Sequence, residues 1–95
     1  MPAIVRKTDL CTGHDCWPER TNTSWSPNVF ANNLNVVRRT DTWETHTCVS
    51  SHTGVQETHS PNVYANGLQV ARIGDDIDCG SKNKTGSPNV FVNGP

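Results

Sequence analysis

Apolar and aromatic residues are scarce in this 95-residue chain. Residues of the set AVILMFWYC make up 33% of it and aromatic residues 6%, which is a low apolar share for a globular domain. So short a chain with so few apolar side chains builds only a marginal core, and such domains usually recruit a metal, disulfides or a partner. We therefore expect one small domain over residues 1–95 that needs additional stabilisation.

Three further absences exclude broad classes of function. The 8 basic and 9 acidic residues give a net charge of −1 and form no basic stripe, so the electrostatic signature of a nucleic-acid binder is missing. No apolar run approaches the ~20 residues that span a bilayer. The N-terminal segment lacks the apolar core of a signal peptide, so we expect synthesis in the cytoplasm without a cleaved signal.

The dominant feature of the chain is an octapeptide that occurs three times. It reads Ser-Pro-Asn-Val-Phe-Ala-Asn-Asn at residues 26–33, and near-identical copies stand at residues 60–67 and 87–94. Three such copies in so short a chain indicate a repeat architecture. Each copy begins with Ser-Pro, and proline is tolerated at the first residue of a strand.

A second repeated segment, rich in Val, Arg and Asp, predicts how the octapeptides pair. Its copies at residues 36–41 and 70–75 follow an octapeptide across Asn-Asn or Asn-Gly, and Asn-Gly is the strongest short hairpin signal. We therefore predict paired strands, 28–31 with 34–38 and 62–65 with 68–72. The third octapeptide has no following partner, and the missing copy stands at residues 4–9. The N- and C-terminal strands are thus predicted to pair, which closes three hairpins around a pseudo-threefold axis and removes open sheet edges.

Each repeat also carries one zinc-type ligand at nearly the same place in the polar loop that follows. It stands four or five residues after the aspartate of the second repeated segment, as His14, His46 and Cys79. Around a pseudo-threefold axis these residues would converge, and structural zinc takes a fourth ligand to complete a tetrahedron. His52, in the longest loop, is the predicted fourth ligand. Imidazole and thiolate favour Zn²⁺ over Ca²⁺ or Mg²⁺, and we predict zinc rather than iron.

The remaining cysteines and histidines have competing interpretations. Cys48 is the alternative fourth ligand. Cys11 and Cys16 are interpreted as small buried apolar groups; a disulfide between them stays open, although the missing secretory signal favours reduced thiols. His59 directly precedes an octapeptide and is interpreted as a non-ligand. The repeated Arg and Asp are interpreted as an ion pair, or a hydrogen bond to the backbone, that shapes each loop.

The repeated segments resemble the PAAR-repeat family, whose pattern is Gly-Ser-Pro-x-Val-Phe-x-Asn-Gly, then a Pro-Ala-Ala-Arg strand, then Gly-Asp and a loop with His or Cys. Residues 87–94 match the first part closely, and residues 60–67 match it with Tyr64 in place of Phe. The Pro-Ala-Ala-Arg positions read Gln-Val-Ala-Arg at 69–72 and Asn-Val-Val-Arg at 35–38, so only the arginine is kept in both. The resemblance covers essentially the whole chain, so we expect a single domain of this family over residues 1–95, without a fused effector domain.

This resemblance implies an all-β cone of three hairpins, with a metal site at its tip. Its base would cap the trimeric β-helical spike of a type VI secretion system or a contractile phage tail, with one monomer on each VgrG-like or phage spike trimer. The resemblance further implies a structural, non-enzymatic protein that is part of the virion tail spike or is secreted through the injection machine. Effector proteins and, transiently, the target membrane would be its other partners.

Other classes of zinc protein lack their motifs here. A zinc deaminase requires His-x-Glu with Pro-Cys-x-x-Cys, and a zincin requires His-Glu-x-x-His; neither occurs in the sequence. The alternative function is a small zinc-binding module for nucleic acid or protein, unrelated to injection. A nucleic-acid module of this kind would carry Cys-x-x-Cys and a basic face, and the sequence has neither.

Overall fold

The fold was analysed in a computed structural model, which describes residues 2–13, 19–47 and 51–92, without the side chains of residues 46, 47, 51 and 52. Its strands are β1 (Phe30–Ala31), β2 (Leu34–Asn35), β3 (His46–Thr47), β4 (Ser51–His52), β5 (Tyr64–Ala65) and β6 (Leu68–Gln69). They form three antiparallel hairpins, β1–β2, β3–β4 and β5–β6. The described residues form no helix, so they contain no helical segment suited to crossing a membrane. The predicted all-β class is confirmed.

Hairpins β1–β2 and β5–β6 turn at the predicted Asn-Asn and Asn-Gly pairs. The backbone φ angles are 54° and 65° at Asn32 and Asn33, and 55° and 78° at Asn66 and Gly67. Positive φ at both central residues is what a type I′ turn requires. Asparagine tolerates this left-handed conformation better than other side chains, so the first hairpin forms without glycine.

The strands of these hairpins are shorter than predicted, because the chain changes partners after residues 35 and 69. Beyond those residues each segment pairs with another repeat, through three equivalent bridges: Arg6 with Val36, Arg38 with Val70, and Arg72 with Ile4. The predicted strands 34–38 and 68–72 therefore each divide among three partners, namely their own hairpin and both of the other repeats. The division is a consequence of closure, since a segment that stayed in its own hairpin would leave the ring open.

Three equivalent residues close the ring through a cycle of backbone hydrogen bonds. The N–H of Val5 donates to the carbonyl oxygen of Ala71 at 3.0 Å, that of Ala71 to Val37 at 2.9 Å, and that of Val37 to Val5 at 3.0 Å. This cycle surrounds the predicted pseudo-threefold axis. Ala3 lies opposite Phe91 in an antiparallel bridge, which confirms the predicted pairing of the N-terminal segment with the C-terminal one.

The ring divides the core into two halves, because successive residues of a strand face opposite sides. The half that we call the hairpin half contains Ile4, Val36, Val70, Ala31, Ala65 and Val92. The other, the loop half, contains Val5, Val37, Ala71, Cys11, Trp43 and Ile77. Each half thus consists of two sets of three residues, with one residue of each set from each repeat.

Hairpin β3–β4 is a feature that the sequence did not predict. The sequence predicts only a polar loop over residues 42–59, whereas the structure pairs His46 with His52 and Thr47 with Ser51. Threonine, as a β-branched residue, favours extended backbone. The segment has no apolar alternation, however, and alternation is the main sequence signal for a strand.

Candidate metal centre

The three loops form a second ring next to the core of the loop half. The beginning of each loop pairs with the end of another through an antiparallel bridge, Cys11 with Asn83, Trp43 with Asn22, and Ile77 with Gln56. All six residues are buried. Because the bridges are equivalent, the loops that carry the predicted ligands emerge at the same end of the molecule.

An arginine–aspartate pair sets the direction in which each loop leaves the core. Asp41 Oδ2 accepts the backbone N–H of Arg38 at 2.7 Å and its Nε–H at 2.9 Å, and the Asp41 N–H donates to the Arg38 carbonyl oxygen at 3.0 Å. The same contacts recur between Arg6 and Asp9 and between Arg72 and Asp75. Hydrogen bonds to the aspartates raise the pKa of Arg38 and Arg72 above its ordinary value. Both interpretations of the repeated Arg and Asp are confirmed.

Cys79 is the predicted ligand whose side chain the structure describes. It is a free, partly buried thiol in a tight turn, where the Gly80 N–H donates to the Ile77 carbonyl oxygen at 3.0 Å and the Ile77 N–H to that of Ser81 at 2.8 Å. Its sulfur packs against the backbone of Gly54. A Cβ at position 54 would lie 3.0 Å from Cys79 Sγ and 2.5 Å from Ile77 Cγ2, so the absence of a side chain there makes room for the thiol.

Two hydrogen bonds join the Cys79 turn to the chain that follows β4. The Val55 N–H donates to Asp78 Oδ1 at 2.9 Å, and the Asp78 N–H donates to the Val55 carbonyl oxygen at 3.0 Å. His52 ends β4 three residues earlier, and its cross-strand partner is His46. Directly opposite positions of an antiparallel pair lie on the same face of the ribbon. The backbone therefore brings the positions of His46, His52 and Cys79 into one neighbourhood.

The first loop reaches this neighbourhood along the third. The Thr12 N–H donates to the Lys82 carbonyl oxygen at 2.8 Å, and the Lys82 N–H donates to Thr12 Oγ1 at 3.1 Å. His14 itself lies outside the described residues. The chain that leads to it, as far as the buried Gly13, is held against the loop that carries Cys79.

The structure describes only some of the other cysteines and histidines. Cys16 and Cys48 lie outside the described residues. Cys11 is a free, buried thiol, as expected of a small apolar group. His59 Nδ1 lies 2.9 Å from the carbonyl oxygen of Ser60. Among the side chains that the structure describes, no three His, Cys, Asp or Glu lie together as a metal-binding group.

Gly54, Asp78 and Ser81 support the predicted ligands, and sequence reasoning did not identify them. Each supports the ligands through a contact with another repeat or through its burial, and none of them belongs to a sequence motif. The repeat alignment that identified His14 and His46 contains no signal for these residues, because each position holds a different residue type in each repeat.

The hairpin half presents one exposed aromatic residue from each repeat. Phe30, Tyr64 and Phe91 occupy the fifth position of the octapeptides and are 56%, 56% and 52% exposed. Neighbouring polar residues join the repeats: the Ser26 hydroxyl donates to Asn66 Oδ1 at 2.5 Å. An equivalent bond joins Ser87 to Asn32. A pseudo-threefold set of aromatic side chains is therefore available at the surface.

Comparison with known families identifies a family that matches this chain. The family model described as PAAR motif matches the chain over residues 12–82 and again over residues 49–95. The two matches together include all three loops with predicted ligands and all three octapeptides. None of the curated proteins matches the chain.

Proposed function

The chain belongs to the PAAR motif family, and from this premise we propose that it is the metal-stabilised tip that caps the trimeric β-helical spike of a contractile injection machine. Proteins of this family are structural components of spike tips that associate with a VgrG spike, and they are not known as enzymes. The tip would leave the producing cell on the spike, either in a phage tail or through a type VI secretion system.

The closed ring of Val5, Val37 and Ala71 is the observation that carries the proposal. Through it, a single chain presents three pseudo-equivalent repeats around one axis: two hairpins and the paired N- and C-terminal segments. A threefold-symmetric trimer offers three copies of each surface patch, so one monomer can contact all three chains in similar ways. We therefore propose one cap for each spike trimer.

We assign the exposed aromatic residues Phe30, Tyr64 and Phe91 to this contact. Phe30 and Tyr64 lie on β1 and β5, and Phe91 lies in the bridge to Ala3. Each directly precedes a residue of the buried core, so its backbone position is fixed by paired chain. Aromatic side chains are enriched among the residues that dominate interface energies. Three of them at equivalent positions fit a partner that repeats the same pocket three times.

For the loop half we propose a zinc ion held by His14, His46, His52 and Cys79. The residues fit such an ion in two respects. Three imidazoles and one thiolate form a closed structural donor set, and the Cys79 turn is hydrogen-bonded to the chain that follows His52. When bound, the ion would link all three loops. Zinc-finger peptides gain ~10–16 kcal/mol from their metal, whereas a core of this size supplies ~3–5 kcal/mol.

The proposed action on the target membrane is mechanical. The large apolar side chains that are exposed, in the part of the chain that the structure describes, lie on the octapeptides or at Ile73. The described surface of the loops carries ion pairs instead, such as Lys82 with Asp76 and Lys84 with Glu19. The tip would therefore pierce by rigidity and not by partitioning into lipid, and the metal would supply that rigidity.

Two measurements test the proposed function. Elemental analysis of the untagged protein should find about one zinc per chain, and His46→Ala and Cys79→Ser should lose it together with thermal stability. Light scattering of the protein mixed with a trimeric spike fragment should give the mass of one chain on one trimer. A folded, stable protein without metal would contradict the metal site, and the absence of a complex with any spike would contradict the capping role. Retention on a DNA or heparin column would favour the unrelated binding module.

A further inference from the structure

Ser81 carries a buried hydroxyl that has no hydrogen-bond partner. The residue is 1% exposed, and its Oγ contacts no donor or acceptor in the described part of the chain. Burying a hydroxyl without a partner destabilises the folded state, and native proteins contain few such groups. Alanine or glycine at this position would avoid the free-energy cost of burying an unpaired hydroxyl. The presence of serine therefore indicates that the hydroxyl has a function.

The position of Ser81 ties it to the turn that carries Cys79. Ser81 follows Cys79 by two residues, and its carbonyl oxygen accepts the Ile77 N–H that closes the turn. The turn also contains Gly80, whose φ of 101° lies in the region that favours glycine. The backbone of Ser81 is therefore held in the turn that carries the predicted thiolate ligand, and its hydroxyl is free to take up a partner there.

The register of the loops also places Ser81 next to the first repeat. Cys11 lies opposite Asn83, and the same register continued by two residues puts Ser81 opposite Gly13. The equivalent pair of loops shows that the register extends so far: Ile77 lies opposite Gln56, and two residues further on Cys79 packs against Gly54. Ser81 is therefore two residues from Cys79 along the chain and lies opposite the residue that directly precedes His14 in the sequence.

We propose that Ser81 is a positioning residue of the metal centre, whose hydroxyl donates a hydrogen bond to the Cys79 thiolate when the metal is bound. The inference rests on the metal site of the proposed function. A serine hydroxyl donates one hydrogen bond, and an ionised acceptor makes that bond roughly twice as strong as a neutral one. Residues that hydrogen-bond a metal ligand fix its orientation, and their loss typically lowers metal affinity about 10–100-fold.

Ser81→Ala separates this role from a purely structural one. Without the metal, the variant removes an unsatisfied buried group, so its thermal stability should equal or exceed that of the wild type. With the metal, its affinity for zinc, measured by competition with a chelator, should fall about 10–100-fold. The thiolate-to-metal charge-transfer band of the cobalt-substituted protein should also shift, and Ser81→Thr should restore it.

Ser87→Ala is the matched control from the hairpin half. Its hydroxyl donates to Asn32 Oδ1 at 2.5 Å and accepts the Val90 N–H at 2.8 Å, so the variant should lose stability but keep the cobalt spectrum of the wild type. A Ser81→Ala protein with unchanged zinc affinity and an unchanged cobalt spectrum would overturn the inference and leave the metal site intact. A wild-type protein that binds neither zinc nor cobalt would overturn the metal site itself.

Discussion

The backbone N–H of Val5 donates to the carbonyl oxygen of Ala71 at 3.0 Å, which joins the first repeated segment to the last. The bond belongs to the cycle that closes three hairpins around one axis. Near the same end of the molecule the Val92 N–H donates to the Pro2 carbonyl oxygen at 3.0 Å, so both ends of the chain lie in one hairpin. Because the ring is closed, we expect the fold to depend on the order of the repeats around the axis and not on which repeat comes first in the chain.

A circular permutant tests this closure. Joining residue 95 to residue 1 and opening the chain between Asn32 and Asn33 exchanges one hairpin turn for another. We expect the permutant to fold with an unfolding free energy within about 1 kcal/mol of the wild type, since the change in loop closure is small. Urea denaturation followed by circular dichroism measures the unfolding free energy of the permutant. Opening the chain between Cys79 and Gly80 instead should abolish metal binding, and an unfolded first permutant would contradict closure.

Thr40 occupies a left-handed conformation, with φ at 72°, in the turn before Asp41. This region costs a β-branched residue about 1–2 kcal/mol, whereas glycine has a larger entropy in the unfolded chain, worth about 0.5–1 kcal/mol. Thr40→Gly should therefore raise the unfolding free energy by about 0.5–1 kcal/mol. Thr42→Gly is the control: it removes a hydroxyl bonded to Thr23 at 2.7 Å and should destabilise the protein. Equal decreases in the unfolding free energy of the two variants would contradict backbone strain at Thr40.

Asp41 organises the beginning of the second loop, so Asp41→Asn should cost about 1.5–3 kcal/mol of unfolding free energy. Asp76→Asn, which alters an exposed ion pair with Lys82, should cost less than about 1 kcal/mol. Because the hydrogen bond to Asp41 raises the pKa of Arg38 above its ordinary value, the contribution of the pair is fully present below the ordinary arginine pKa and is lost only as the pH rises through the raised value. The cost of Asp41→Asn should therefore be constant across the neutral and mildly alkaline range. A steep change there would contradict this pairing.

Gly54→Ala should disturb both the core and the metal centre. The new methyl would stand 2.5 Å from Cγ2 of the buried Ile77 and 3.0 Å from Cys79 Sγ. Overpacking of this kind costs about 1–3 kcal/mol, and displacing the thiol should lower zinc affinity. Gly67→Ala is the control, because its Cβ meets nothing within 4 Å and only the backbone is strained. It should lose stability but bind zinc normally; normal zinc binding by Gly54→Ala would argue against Cys79 as a ligand.

Three single variants test the aromatic contact. Phe30→Ser, Tyr64→Ser and Phe91→Ser should each weaken binding to the spike trimer by a similar factor, equivalent to at least about 1 kcal/mol, because a threefold partner offers each the same pocket. Surface plasmon resonance measures the three affinities. Ile73→Ser is the control, since Ile73 is 38% exposed but its counterparts in the other repeats are Lys and Arg. A loss of affinity for the spike trimer in only one of the three aromatic variants would contradict threefold docking.

Much of the fold could be predicted because its signals are local. The turn residues at 32–33 and 66–67 specify hairpins through φ angles that few residues tolerate. The repeat of the second segment at residues 4–9 predicted the pairing of the chain ends without any knowledge of the core. The four ligands stay a prediction: the backbone brings three of their positions together, and the repeat alignment supplies the fourth.

The sequence by itself therefore determined the all-β class, the two hairpins with Asn-Asn and Asn-Gly turns, and the closure of the three repeats into a ring, since turns and repeats can be recognised within a few residues. Only the tertiary structure decided that the strands change partners after residues 35 and 69, that β3–β4 forms, and that Gly54 makes room for Cys79. The physical reason is that these features depend on contacts between different repeats. The sequence shows which residues each repeat contains. Which side chains of different repeats contact each other is decided by how the repeats pack around their shared axis.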